Sequence, residues 1–302
     1  MATEHFALEA LAPFDFDLTA QIFSSSDPQI RTYKNSEFSQ VLKVNGFPLL
    51  VRVCSVGTVE RPKLAVALES NNLINDQIKL EASGILKLIF NLDFDLCNFY
   101  TEVRDNPTMH KITERLFGLK NPTTPTVFES LVDSIVEQQI SIKVAHMIEE
   151  RIVKRFGEKL TLNGNTYFLF PTPQRMASGT VDELRQCGLS QRKAEYICNA
   201  ATLIANGKLD LEGMKNIASA DEIIKKLDEI RGIGVWTAEL TMLRGMQRLD
   251  ALPADDFGIR RVISRYFCDG RSIKTAEARQ VAESFGKWKG LAAFYLDSCR
   301  SP

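Results

Sequence analysis

The sequence predicts an α+β domain built on an antiparallel sheet over residues 1–95, followed by a mostly α-helical domain over residues 96–302. Three observations lead there. Residues 40–57, QVLKVNGFPLLVRVCSVG, combine alternating and continuous β-branched stretches around Asn45-Gly46, a strong signal for a β-hairpin. From Asp95 onward the apolar residues recur with helical spacing instead. Late in the chain, two helical stretches are joined by Gly232-Ile233-Gly234, a turn so tight that the helices must fold back on each other.

In chain order, FDFDL at residues 14–18 is expected to begin the first strand, with Phe14 and Phe16 in the core. PKLAVALES, residues 62–70, reads as a further strand and ILKLIFNL, residues 85–92, as a helix. Residues 96–119 give two short helices divided at Asn106-Pro107. NPTTPT, residues 121–126, is a linker with proline and N-cap chemistry. Residues 128–156 carry one long apolar periodicity, broken by EQQIS at residues 137–141. Polar Gln138 and Gln139, with Ser141 as a cap, predict two helices and a bend. FPTPQRMA, residues 170–177, starts another helix. Ser190 caps a helix whose first turn holds Arg192 and Lys193. Cations there oppose the helix dipole, which suggests an anionic partner; plain solvated side chains are the alternative. ESFGKWKGLAAFYLDS, residues 283–298, gathers Phe285, Trp288, Phe294 and Tyr295, a cluster that reads as core or as site lining.

Composition bounds the function loosely. The chain is 44% hydrophobic and 25% charged, as ordinary globular proteins are. A net charge of −1 lacks the basic excess of many nucleic-acid binders. The charge is uneven, however: residues 1–95 hold 8 Lys/Arg against 12 Asp/Glu, the rest 29 against 26. Six cysteines form no C-x-x-C pair and no secretion signal opens the chain, so reduced thiols are expected. No apolar run approaches the ~18 residues of a membrane span. His5, His110 and His146 are scattered, and no catalytic metal is expected.

The chain is organised around LDEIRGIGVWTAELTMLRG, residues 227–245. The first amides of its second helix have no intrahelical partner and lie at the positive end of the dipole, so they suit one anion. Eleven residues after Gly245, in LPADDFGIRRVISRYF (residues 252–267), Asp256 stands at the start of another helix. It reads as a carboxylate poised for chemistry or as a helix N-cap.

The pattern L-x-x-I-x-G-I-G-x-W-T-A followed by L-P-x-D-D resembles the helix-hairpin-helix (HhH-GPD) DNA glycosylases. Within them it is most similar to the alkylpurine branch, the 3-methyladenine DNA glycosylase II type. The resemblance implies a sheet domain followed by a helical helix-hairpin-helix glycosylase domain. It implies a monomer acting on double-stranded DNA with damaged bases, away from membranes. The place would be the cytoplasm, beside the nucleoid, in a prokaryote, or the nucleus in a eukaryote. The hairpin (227–245) would grip a DNA phosphate through Gly232, Gly234 and Thr237, with Na⁺ or K⁺ at the turn and no other cofactor. Asp256, in the loop 252–258, would be the catalytic carboxylate. Gln139 would fill the gap left by the flipped nucleotide, where leucine is common in this branch. Arg192 and Lys193 would lie near DNA, and Trp236, Phe285 and Trp288 would line the base pocket.

Two departures sharpen this. Trp236 occupies the position at which lyase-active relatives carry a lysine; an indole forms no Schiff base, so a monofunctional enzyme is expected. Its π-face favours positively charged alkylated purines. Only Cys268 and Cys299 follow Asp256, too few for the iron–sulfur cluster of some relatives. A non-catalytic damaged-DNA binder and an oxidised-purine glycosylase are the alternatives. Asp256 speaks against the first and Trp236 against the second.

Overall fold

A computed structural model describes residues 2–299. Strands β1 (Ala2–Glu9), β2 (Arg31–Lys34), β3 (Glu37–Val44), β4 (Phe47–Ser55) and β5 (Lys63–Ser70) form one antiparallel sheet in the order β1-β5-β4-β3-β2. Asn45 and Gly46, with φ of 48° and 83°, make the two-residue turn between β3 and β4, as the sequence predicts. Helices α1 (Phe16–Phe23) and α2 (Asp76–Ile89) pack on one face through Phe16, Phe23, Phe38 and Phe90. Phe14–Leu18 does not begin a strand. Asp15 accepts a hydrogen bond from Leu18 N–H at 2.9 Å and starts α1 there, while Phe14 and Phe16 are buried as expected. The first strand lies upstream, at β1.

Helices α3 (Leu96–Val103), α4 (Pro107–Arg115), α5 (Val127–Glu137) and α6 (Ile142–Phe156) follow at the predicted places, with the bend between α5 and α6. The chain is then not purely helical. Strands β6 (Lys159–Leu162) and β7 (Asn165–Phe168) form a hairpin turned by Asn163-Gly164. Leu160 and Leu162, with Leu169, cover Val41 and Leu50 on the second face of the sheet. A two-residue Asn-Gly turn is the same signal that marks β3–β4, and here the sequence reading passed over it.

Among the described residues eight further α-helices follow, besides two short 3-10 turns at Gly213–Asn216 and Glu283–Trp288: α7 (Pro173–Ala177), α8 (Val181–Gln186), α9 (Gln191–Ala205), α10 (Ala220–Asp228), α11 (Val235–Gly245), α12 (Phe257–Phe267), α13 (Thr275–Ala282) and α14 (Lys289–Ser298). They divide between two apolar cores. One is built from Val127 to Ala251, the other from Leu96–Leu119 together with Leu252–Leu296. The chain therefore crosses from one core to the other between Ala251 and Leu252, immediately before Asp256.

Charges are also buried between the sheet and the helices. Glu129, Asp133 and Glu137 recur every four residues along α5 and so share one face. Arg31 of β2 pairs with Glu129 at 3.2 Å, and Arg244 of α11 pairs with Glu137 at 2.5 Å. Glu149 of α6 has Oε1 shielded from solvent with no hydrogen-bond partner. Burial, with Glu137 and Glu129 adding to it against Arg244 and Arg31, pushes the Glu149 carboxyl up to about 8. Burial likewise pushes Asp133 well up, with Glu149 and Glu129 adding to it. Such a group favours the folded state while protonated. Its contribution is complete below about pH 4.5 and is lost as pH rises through 8. Melting temperature should therefore fall from pH 5 to pH 9. Glu149→Gln, which keeps the neutral form's shape, should raise Tm at pH 9 by a few degrees and flatten that fall. An unchanged slope in a calorimetric pH series would show that Glu149 does not titrate in this range.

Candidate active site

The helical hairpin is α10, residues 229–234 and α11. Gly232 has φ +91°, and a Cβ there would lie 2.2 Å from the ring of Tyr196 on α9, so only glycine fits. Gly234 is the N-cap of α11, extended (φ −93°, ψ −179°) and exposed, with no side chain capping the first turn and no acidic residue in it. The uncapped first-turn amides thus open to solvent beside Val235, which is 40% exposed.

The bend between α5 and α6 is fastened to this hairpin. Gln138 Nε2 donates to Gly232 O and to Thr237 Oγ1, both at 3.0 Å. Gln139 is exposed and held at φ +57°, a conformation uncommon outside glycine. The bend thus presents one exposed polar side chain, Gln139, while its neighbour Gln138 is tied to the hairpin. Thr237 itself is buried, 2% exposed, with its hydroxyl turned to Gln138. The hydroxyl is thus committed to the bend, and what Thr237 can turn toward a DNA phosphate is its backbone N–H in the first turn of α11. Lys193 is half-buried. Its Nζ donates to Val136 O at 2.7 Å, at the end of α5, and burial lowers its pKa. Arg192, beside it, is exposed.

Asp256 is half-buried at the N-cap of α12, with Oδ1 accepting from Ile259 N–H at 3.0 Å. A cap of this kind needs one oxygen of the carboxylate. Asp255 is exposed and turned away. Its Oδ1 accepts from Thr275 Oγ1 at 2.7 Å, and Arg260 donates to its carbonyl at 3.0 Å. The loop before them is tied to α11: Arg279 of α13 pairs with Glu239 through two bonds of 2.7 and 2.9 Å and also donates to Leu252 O at 3.3 Å. Neither Glu239 nor Arg279 was singled out in the sequence. A glutamate between Ala238 and Leu240 on a buried helix was the available signal.

The aromatic residues do not form one cluster. Trp236 is half-buried, with no ring contact among the described residues and with Nε1 shielded and unpartnered. Trp288 packs edge-on against Phe94 and Phe99 at 5.9 and 6.0 Å, under Lys287. Phe285 packs on Phe267 at 5.7 Å. Phe285 and Trp288, expected to line the base pocket, are each 8% exposed and pack within the second core. Two surface cavities, of about 330 and 530 Å³, lie at the far end of α6 and share no residue with the bend, the hairpin or Asp256.

The turn offers a monovalent cation backbone carbonyl oxygen. Ile230 O and Gly232 O each accept one hydrogen bond, from Ile233 N–H and Gln138, and each keeps a second lone pair. Among the described residues no three His, Cys, Asp or Glu side chains gather to hold a metal, and no helix is long and apolar enough to cross a membrane.

An uncapped helical hairpin, a bend bound to it and a carboxylate at a neighbouring helix start are the features that the helix-hairpin-helix resemblance implies. The chain matches the HhH-GPD superfamily of base excision DNA repair proteins over residues 132–288, and it belongs to that family. It is 28% identical to the DNA-3-methyladenine glycosylase of Bacillus subtilis, with 94% of each chain covered. It is also similar to the solved 3-methyladenine DNA-glycosylase of Archaeoglobus fulgidus, with 26% identity, TM-score 0.84 and 97% of each chain covered. A DNA-3-methyladenine glycosidase structure from Bacillus halodurans is 32% identical, with TM-score 0.53, over 67% of this chain and 88% of that one.

Proposed function

We propose that the protein is a monofunctional DNA glycosylase of base excision repair that removes alkylated purines of the 3-methyladenine and 7-methylguanine type. The observation that carries this is Asp256, set at the crossing between two cores and tied through Arg279 and Glu239 to the helix whose free amides suit a DNA phosphate.

The hairpin amides hold one phosphate of the duplex and so position the protein without reading sequence. Na⁺ or K⁺ on the carbonyls of Ile230 and Gly232 would add positive charge at that phosphate. Gln139, exposed at the bend, enters the stack where a nucleotide has been extruded. Arg192, exposed in the first turn of α9, adds a cation for the DNA backbone. The π-face of Trp236 attracts a purine made cationic by alkylation. The C1′–N bond then breaks, its electron pair leaving with the base. Positive charge grows on the sugar, and Asp256 stabilises it, orients the water whose oxygen bonds to C1′ and accepts the proton that water gives up. The products are a free purine and an abasic site in an unbroken strand. The nucleoid or the nucleus is where such a substrate is met.

The test is release of base from duplexes carrying 3-methyladenine, 7-methylguanine, hypoxanthine or 8-oxoguanine, followed on gels with and without borohydride. Alkylpurines should be released, with the strand intact until alkali and no trapped adduct. A borohydride-trapped adduct would overturn the monofunctional reading, and binding without release of any base would leave a damaged-DNA binder.

A further inference from the structure

The loop before Asp256 has little regular structure of its own. Within it, Ala254 N–H bonds Leu252 O at 2.7 Å and Asp256 N–H bonds Pro253 O at 2.9 Å. Pro253 has no N–H to donate. From outside the loop, Arg260 of α12 bonds Asp255 O at 3.0 Å, and α13 holds it at two further points. Thr275 opens α13 and bonds Asp255; Arg279, four residues later on the same face, bonds Leu252 O. Arg279 is itself held by the bidentate pair to Glu239, whose side chain is 4% exposed. Glu239 lies one residue beyond the first turn of α11, three after Trp236.

An ion pair that buries its carboxylate and leaves its guanidinium partly exposed is a poor device for stability alone. Desolvation offsets its attraction, and two apolar residues of like size often stabilise a core as well. Burial does push the Glu239 carboxyl up, against the pull of Arg279. An apolar pair could not do two things this one does. It could not fix the relative orientation of α11 and α13 through a fork of parallel bonds. Nor could it offer a donor to the carbonyl of Leu252.

We propose that Glu239 and Arg279 are positioning residues for Asp256, clamping the crossing loop to α11 so that the carboxylate stands at a fixed place relative to the phosphate-gripping end of that helix. This rests on the reading of Asp256 as the reacting carboxylate. Misplacement by about 1 Å costs an enzyme on the order of 100-fold in rate.

Two variants test it. Arg279→Lys keeps the charge but loses the planar fork. The double variant Glu239→Met/Arg279→Met removes both charges and keeps apolar bulk. Each is assayed for single-turnover release of 7-methylguanine from methylated duplex DNA, for Kd on a duplex with a tetrahydrofuran abasic analogue, and for Tm. The rate should fall at least tenfold for the lysine variant and about 100-fold for the double variant. Kd should stay within about threefold in both. The proposal is overturned if a folded variant excises at the parent rate, or if rate and affinity fall together in proportion. Should the double variant not fold, Arg279→Lys decides alone. Asp256→Asn is run beside them: if it retains excision, the reading of Asp256 has failed. If it loses excision while Arg279→Lys does not, only the clamp has failed.

Discussion

Asp256→Asn is expected to lower the single-turnover rate of base release by at least about 10²–10³-fold while Tm and duplex affinity stay near the parent's. Asparagine keeps the size of the side chain and an oxygen that can accept from Ile259 N–H, and it ranks with aspartate as an N-cap. What it removes is the negative charge beneath a sugar that turns positive in the transition state. Affinity for DNA should hold or rise. A carboxylate about 5 Å from a phosphate, at an effective dielectric of ~20, is repelled by on the order of 3 kcal/mol before salt screening. Asp255→Asn should be far milder, because Asp255 is exposed and committed to Thr275. Single-turnover kinetics beside calorimetry separate the two roles. If Asp256→Asn lowered Tm and left excision intact, Asp256 would be a helix cap and nothing more.

The parts of this fold that read easily from sequence are those fixed by local chemistry. Asn45-Gly46 sets a turn by needing left-handed backbone, and the break at residues 137–141 is written in polar side chains followed by a capping serine. The Gly232-Ile233-Gly234 turn is equally local. What escaped depends on contacts distant in the chain. The β6–β7 hairpin carried a readable Asn-Gly, but its strands are four residues each and gain their burial only against Val41 and Leu50 of the sheet. Lys193 and Thr237 sit at positions that a linear motif assigns to the DNA side. Their inward turn depends on Val136 and Gln138, elements about 57 and 99 residues away. Phe285 and Trp288 form an aromatic stripe whose partners, Phe267, Phe94 and Phe99, decide that it is core. Spacing can place a residue on a helix face; it cannot say which neighbour that face will meet.

The two glycines of the helical hairpin should separate fold from grip. At Gly232, a Cβ would overlap the Tyr196 ring at 2.2 Å, and φ +91° is strained for any L-residue. Gly232→Ala should therefore cost roughly 2–4 kcal/mol of stability and distort the turn, so that Tm and DNA affinity fall together. At Gly234 the backbone is ordinary and a Cβ meets nothing within 4 Å. Gly234→Val should leave Tm within a few degrees, yet its methyl groups would stand over the free amides of α11 where a phosphate must approach. Affinity should fall at least about tenfold for every sequence alike, with a shallower salt dependence, because a phosphate contact positions and does not specify. Adding Tyr196→Ala to Gly232→Ala should restore part of its Tm by removing the clash, and should do nothing for Gly234→Val. If Gly234→Val bound duplex DNA as the parent does, with the same salt slope, the first turn of α11 would not be the phosphate site, because nothing else about that substitution could compensate for a blocked set of amides.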